Sequence, residues 1–291
     1  MNSQLIQTIQ TIREALTPCY PEGEVQAMTD LLLEKRLGVT RMDRFLRKDI
    51  QFSAEQLHDL ADNLTRLQHF EPIQYVLGEA DFDGLCFAVN EAVLIPRQET
   101  AELVRWVEER VRQKVYSLHP VRILDIGTGS GCIAIALAHR LPEAAVEAWD
   151  VSEEALAVAR ENNRRLGTTV DFRRQDVFEE PTPLPQVEVL VSNPPYICDS
   201  ERTEMEANVL EWEPALALFV PDADPLRYYR RIAQLGRQML TPGGALFFEI
   251  NRAYGAATVQ MLEELGYQHV ELRKDLSGND RMVKAVYEGN K

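Results

Sequence analysis

A chain of 291 residues, 45% hydrophobic and 26% charged, has the length for a large core or two domains and the composition of a soluble globular protein. Its formal net charge of −15 opposes a surface built to grip nucleic-acid phosphates, and no apolar run approaches the length of a membrane span. Cys19, Cys86, Cys132 and Cys198 form no CxxC pair and no Cys/His metal spacing, and the N-terminus lacks the basic and apolar regions of a signal peptide; a reduced, cytoplasmic protein without a metal is expected.

Residues 1 to about 70 read as all-helical. Leu5, Ile6, Ile9, Ile12 and Leu16 recur at helical spacing, as do Val25, Met28, Leu31 and Leu32. Thr40 is placed to cap a short basic helix. Ser53-Ala-Glu-Gln56 matches a capping box, and Leu57, Leu60, Leu64 and Leu67 follow as one apolar stripe. The sum is a small helical bundle. Within it Lys35, Arg36, Arg41, Arg44, Arg47 and Lys48 form a basic run, either a solvated helix face or a docking patch for an acidic partner.

After Phe70 the pattern changes. Asp83-Gly84 is a hairpin turn signal, and Leu85, Phe87 and Val89 alternate at strand spacing. A helix from about 100 to 115 is expected next. From residue 121 strands and helices alternate, with strands at Val121–Ile126, Val146–Asp150, Val170–Phe172, Val187–Ser192 and Ala245–Ile250. Ser152 and Gly167 bracket a helix at Glu153–Leu166, and Tyr267–Leu272 with Met282–Tyr287 form a closing hairpin. Such alternation means a mainly parallel sheet with helices on both faces.

Two segments carry chemistry. Ile123-Leu-Asp125-Ile126-Gly127-Thr128-Gly129-Ser130-Gly131 is a strand, a glycine turn and a helix start, a place where backbone approaches a ligand closely. Its spacing is G-x-G-x-G, not the G-x-G-x-x-G of dinucleotide folds. Asp150 ends the next strand, where an acid accepts ribose hydroxyls. The second segment is Asn193-Pro194-Pro195-Tyr196, directly after the apolar run that ends at Ser192. Two prolines cannot donate backbone hydrogen bonds, and each has a fixed φ. The chain therefore leaves the sheet stiffly, with free carbonyl oxygens beside an amide side chain, a good grip for a planar –NH2 group. All three elements fall at the C-terminal edge of one parallel sheet, where such folds bind ligands.

The glycine turn, Asp150 and Asn193-Pro-Pro-Tyr196 resemble the class I S-adenosylmethionine-dependent methyltransferases that act on amino groups. The last motif alone is shared with DNA adenine and ribosomal RNA methyltransferases. Glu71-Pro-Ile-Gln-Tyr-Val-Leu-Gly78, Val93-Leu-Ile-Pro-Arg-Gln-Glu-Thr100, Glu213-Pro-Ala-Leu-Ala-Leu218 and Lys274-Asp-Leu-Ser-Gly-Asn-Asp-Arg281 narrow the resemblance to the release-factor glutamine N5-methyltransferases, over nearly the whole chain.

The resemblance implies an α/β fold: a Rossmann-like seven-stranded methyltransferase sheet, mainly parallel with a terminal antiparallel hairpin. The chain is expected to divide into a helical partner-recognition domain at 1–75, a β-hairpin connector at 76–98 and an S-adenosylmethionine-binding catalytic domain at 99–291. It implies methylation of the glutamine side chain in the Gly-Gly-Gln loop of a peptide-chain release factor, modulating translation termination, with S-adenosylhomocysteine as product. No metal, no membrane and no direct nucleic-acid binding are expected. Gly127, Thr128, Gly129, Ser130, Gly131, Asp150, Asp176, Val177 and Asn193 would bind the cofactor. Asn193, Pro194, Pro195 and Tyr196 would bind the substrate amide, with Asn193 and Pro194 accepting its N–H groups and Tyr196 stacking on its plane. Arg97 and Thr100 either border the site or serve the fold alone; Glu213-Pro214 is expected to be structural, with holding the substrate loop as the other reading. None of the five histidines sits in a recognisable motif. The chain departs from the family at Val177, where some relatives carry an aromatic residue, and in Phe219-Val-Pro-Asp-Ala-Asp-Pro225, which is poorer in glycine. Transfer to an amino group of a nucleic-acid base, or to a ribosomal-protein glutamine, remain the other readings of the same motif.

Overall fold

The computed structural model describes residues 4–46, 48–113 and 120–289. Arg47, and residues 114–115 at the end of the expected helix from 100, lie outside the described residues. The chain opens with five helices: α1 (Gln4–Leu16), α2 (Glu22–Lys35), α3 (Arg41–Phe45), α4 (Ala54–Gln68) and α5 (Ile73–Leu77). A hairpin follows, β1 (Glu79–Phe82) and β2 (Leu85–Ala88), then α6 (Thr100–Gln113). Strands and helices then alternate through β3 (Arg122–Ile126), α7 (Cys132–Arg140), β4 (Ala145–Asp150), α8 (Glu153–Leu166), β5 (Val170–Arg174) and β6 (Val187–Ser192). Beyond β6 come β7 (Ile197–Cys198), α9 (Ala207–Trp212), α10 (Ala215–Leu218) and β8 (Phe219–Val220). The last elements are α11 (Arg227–Met239), β9 (Leu240–Glu249), α12 (Gly255–Glu264), β10 (Gln268–Lys274) and β11 (Asp280–Tyr287).

Two compact units result. The first comprises residues 4–79 with Glu206–Trp212. Its core joins Leu5, Ile12 and Leu16 of α1 to Val25, Leu32 and Leu33 of α2 and Leu60, Leu64 and Leu67 of α4. Ile6, read as part of the α1 stripe, is 53% exposed, because the buried face of α1 runs through Leu5, Thr8, Ile12 and Leu16 instead. Both predicted caps form: the Thr40 and Ser53 side chains accept the amides of Asp43 and Gln56, each in a reciprocal capping box. Much of the basic run is spent inside the unit. Lys35 pairs with Glu79 at 2.7 Å, Arg44 with Asp30 and Lys48 with Asp43, while Arg36 donates to the Val76 carbonyl.

The second unit, Ala80–Met205 with residues 213–289, is built on a seven-stranded sheet in the order β10-β11-β9-β6-β3-β4-β5. Strands β5, β4, β3, β6 and β9 are parallel, and β11 and β10 add antiparallel at one edge. Both faces are covered, which is why the central strands read as continuous apolar runs. Ile123, Val189, Val191 and Phe247 point into one core with α6 and α7; Leu124, Ile126, Leu190, Leu246 and Phe248 point into the other with α11 and α12. The predicted helix signals hold at α8, where the Ser152 hydroxyl accepts the Ala155 amide and Gly167 closes the helix at φ 66°. Strand β9 starts at Leu240, earlier than the predicted Ala245. Thr241-Pro242-Gly243-Gly244 looks like a turn, but the chain absorbs it as an irregularity in the pairing with β6, a use of glycine that the sequence pattern does not separate from a loop.

Register positions the site. Ile126 at the end of β3 is level with Trp149 of β4 and Ser192 of β6, and Ser192 is level with Phe248 of β9. The next residue of each strand, Gly127, Asp150, Asn193 and Glu249, therefore emerges at one edge. The strand order reverses between β3 and β6, leaving a crevice there.

Candidate active site

Along that edge a cleft is lined by Gly127 and Gly129, by Asp150 and Ser152, by Asp176–Phe178, and by Asn193, Pro194 and Pro195. Its other walls are Ala92–Leu94, Pro214, Leu216 and Ala217, and Arg227 and Tyr228 of α11.

The glycine turn has two functions. Gly127, Gly129 and Gly131 adopt φ of 75°, 54° and 82°, and the Gly127 and Thr128 amides both donate to the Trp149 carbonyl. A Cβ at 127 or 129 would meet nothing within 4 Å, so these two residues leave a bare backbone cradle facing the cleft. A Cβ at 131 would stand 2.8 Å from Ile135 Cδ1 and 3.2 Å from Ala159 Cβ. The third glycine thus allows α7 and α8 to pack closely. Thr128 and Ser130 are buried and do not line the cleft. The Thr128 hydroxyl donates to Asp125 at 2.7 Å, and the Ser130 carbonyl accepts from Asn162 at 2.9 Å, so both shape the turn from behind.

Asp150 accepts the Gly129 amide at 2.8 Å on Oδ2 and the Ser152 amide at 2.9 Å on Oδ1. Burial holds its carboxyl above the usual range while those amides pull it back. Each oxygen keeps a second lone pair, which suits a ligand with paired hydroxyls. Asp176 fixes the next turn by accepting the Phe178 amide at 2.9 Å. Val177 faces the cleft as expected. Phe178 was not foreseen: its ring lies 5.1 Å from that of Tyr228, edge to face, and Arg227 sits 4.6 Å over it. An aromatic thus stands one residue after the position where Val177 lacks one, and α11 supplies a second.

The proline corner is held from beneath. Asn193 Nδ2 donates to Thr100 Oγ1 at 3.4 Å, and that hydroxyl donates to Glu249 Oε2 at 2.6 Å. The Tyr196 hydroxyl donates to Glu249 Oε1 at 3.3 Å. Tyr196, expected to stack on a substrate amide, does not line the cleft; its ring packs against the core formed by Ile126, Phe248 and Ile250, and its backbone bonds Leu218 and Asn251. Burial pushes Glu249 above the usual carboxylate range, opposed by Thr100, Arg281 and Tyr196. Glu249 was missed at the sequence level. Its signal was a lone carboxylate closing the apolar run Ala245–Phe248 at the ligand-binding edge.

Opposite the corner, Arg97 donates to Glu213 Oε1 at 2.6 Å and the Ile95 amide to Glu213 Oε2 at 3.2 Å. Thr100 thus bonds the cleft-lining Asn193, and Arg97 bonds Glu213, the residue before the cleft-lining Pro214; neither lines the cleft itself. Among the described residues no group of three or more His, Cys, Asp or Glu is arranged to hold a metal, and no helix is long and apolar enough to cross a membrane. The lining presents the side chains of Asp150, Asp176 and Asn193 beside the backbone of the glycine turn and the two prolines.

Two family models match, the methyltransferase small domain at residues 109–211 and the PrmC N-terminal domain at 7–78. The release factor glutamine methyltransferase of Bacteroides thetaiotaomicron is 52% identical over 94% of this chain and 97% of its own length. That of Flavobacterium psychrophilum is 43% identical over 94% and 96%. Among solved structures, the hMettl16 catalytic domain in complex with a 3′UTR hairpin aligns over 83% of this chain and 84% of that one, with a TM-score of 0.56 at 15% identity, a likeness of fold.

Proposed function

The chain belongs to the release factor glutamine methyltransferases, and on that premise we propose which of its atoms hold the two substrates. It transfers a methyl group from S-adenosylmethionine to a release-factor glutamine, in our reading the side-chain nitrogen (N5) of the Gly-Gly-Gln loop, and so modulates translation termination in the cytoplasm. Bound in the cleft, S-adenosylmethionine supplies a methyl group on a positively charged sulfur and leaves S-adenosylhomocysteine.

The residues present fit that donor. Gly127 and Gly129 offer an open cradle, Asp150 offers lone pairs to ribose hydroxyls, and Asp176, Val177, Phe178 and Tyr228 offer a partly aromatic wall for a flat base. Thr128, Ser130 and Gly131 hold the shape of the turn. At the other end Asn193 Oδ1 and the Pro194 carbonyl each accept one N–H of the substrate amide, while Pro195 walls the corner. Resonance makes an amide nitrogen a weak nucleophile, so orientation matters more than usual. Positive charge grows on that nitrogen during transfer, and two oxygens already aimed at it need no reorganisation. The proline rings fix φ on both sides of the carbonyl and keep its direction constant.

The observation that carries this reading is the register that brings Gly127, Asp150 and Asn193 to one cleft. In our reading the helical unit, which has its own core, is the partner-recognition module. The test is mass spectrometry of a release factor after incubation with enzyme and S-adenosylmethionine, mapping the added mass to one glutamine nitrogen. Asn193→Ala should lower kcat by about a hundredfold or more, and S-adenosylhomocysteine binding by much less. Methyl transfer into RNA or DNA but not protein, or near-normal turnover by the variant, would overturn the assignment.

A further inference from the structure

Glu249 is 1% exposed, yet it stands beside the reacting corner with no part in the grip just described. The parallel register pairs Ser192 with Phe248, so the carboxylate emerges level with Asn193 on the neighbouring strand. Both its oxygens are engaged, Oε2 by Thr100 at 2.6 Å and Oε1 by Tyr196 at 3.3 Å. Arg281 and Glu99 are the other charges felt there, of opposite sign to each other.

A side-chain amide has a donating end and an accepting end, and a half-turn about its last bond exchanges them. The neighbours decide which end faces where. Both Glu249 oxygens accept from hydroxyls, and a hydroxyl carries one proton. With that proton committed to Glu249, Thr100 Oγ1 turns a lone pair toward Asn193 and is answered by Nδ2, at 3.4 Å. Oδ1 is then the end left for the cleft. With no carboxylate to claim its proton, the hydroxyl is free to donate to Asn193 Oδ1 instead. The amide would reverse and present –NH2 to the substrate –NH2, donor against donor.

We propose that Glu249 and Thr100 are positioning residues that set the orientation of the Asn193 amide, Glu249 by claiming the Thr100 proton and Thr100 by accepting from Nδ2. The role rests on the reading of Asn193 as the acceptor of the substrate N–H. Tyr196 braces the free carboxylate oxygen, which gives the fourth residue of the Asn-Pro-Pro-Tyr corner a task beneath the site rather than in it.

The test compares Thr100→Val, Thr100→Ser and Asn193→Ala with the parent enzyme, each rate normalised to the fraction of protein that binds S-adenosylhomocysteine. That normalisation removes misfolded material from the comparison. Thr100→Val keeps the shape and loses the hydroxyl; kcat should fall at least about tenfold with the KM for release factor within about threefold, and Thr100→Ser should recover most of the loss. Turnover by Thr100→Val within about threefold of the parent, alongside a hundredfold loss in Asn193→Ala, would overturn the relay and leave the grip standing. Near-normal rates in both variants would overturn the two together. A Thr100→Ser enzyme as slow as Thr100→Val would also overturn the relay, since the hydroxyl would not be what matters.

Discussion

Arg97 and Glu213 are joined across the second unit, guanidinium to Oε1 at 2.6 Å, with the Glu213 side chain 1% exposed. Its other oxygen holds the Ile95 amide, so a single carboxylate ties the segment after Ala92–Leu94 to the segment before Leu216 and Ala217. Both segments contribute apolar side chains to the cleft that Asn193 lines. Glu213→Ala would leave those segments untied. Losing one partner of a fully buried pair costs about 3–5 kcal/mol. Arg97 is 35% exposed and recovers water, so about 2 kcal/mol is the expected loss in a denaturant melt. KM for the release factor should rise more than the dissociation constant for S-adenosylhomocysteine. Unchanged KM with an unchanged melt would show that the tie does nothing.

Gly129 and Gly131 should respond oppositely to alanine. Both have left-handed φ, which costs a residue with a Cβ about 1–2 kcal/mol. At 129 the new methyl group enters open cleft, so stability changes by little more than that cost while S-adenosylhomocysteine binding weakens at least about tenfold. At 131 it meets Ile135 and Ala159, and overpacking adds about 1–3 kcal/mol, with a smaller effect on binding per unit of stability lost. Calorimetric titration and thermal melts on the two variants read the contrast directly. Equal binding losses at both positions would contradict the division of labour within the turn.

That division is also where the sequence stops being legible. The glycine spacing, Asp150 and the proline corner were readable because each is local: a φ requirement, a strand end, a pair of rigid residues. So were the caps at Thr40, Ser53 and Ser152. Thr100 was named as a possible neighbour of the site but not as a partner of Asn193, and Glu249 was not foreseen, because its relation to Asn193 depends on which strands are neighbours, and β6 lies beside β9 only through a long crossover. Phe178 and Tyr228 are 50 residues apart in the chain and meet because α11 packs on the sheet face below the cleft. The bond from Tyr196 to Glu249 was not legible for a related reason: adjacency to Asn193 in sequence says nothing about which partners its hydroxyl finds.

A short acceptor peptide should be a poorer substrate than the whole release factor. The helical unit has its own core and its own family match, and within it Phe45 is 81% exposed, beside Met42 at 60% and Leu46 at 57%. An exposed apolar cluster of that kind marks an interaction site more often than chance would. Replacing Phe45 with Ser should raise KM for the whole factor several-fold and leave the peptide reaction unchanged. Equal kcat/KM for peptide and factor in the parent enzyme would remove recognition at a distance from the modified loop.

Asp125 makes stability depend on pH in a direction opposite to most surface carboxylates. It is fully buried in β3, and burial pushes its carboxyl up to about 7, with Asp150 adding to the shift and the Thr128 hydroxyl opposing it. In the unfolded chain the same group ionises near 3.8. Between these values the folded protein holds a proton that the unfolded chain has released, so raising the pH favours unfolding. The contribution is fully present below about pH 4 and is lost as pH rises through about 7, with a span of about 4 kcal/mol at most. Asp125→Asn keeps an oxygen for Thr128 and carries no charge to bury. Denaturant melts of parent and variant at pH 5 and pH 8 read this group together with the neighbours coupled to it, chiefly Asp150, while titrations elsewhere are common to both proteins. The variant should gain on the parent as pH rises, by about 2–3 kcal/mol between the two conditions. A difference that stays constant, or that moves the other way, would mean Asp125 is ionised in the folded protein and that the turn beneath Gly127 and Gly129 is built around a charge.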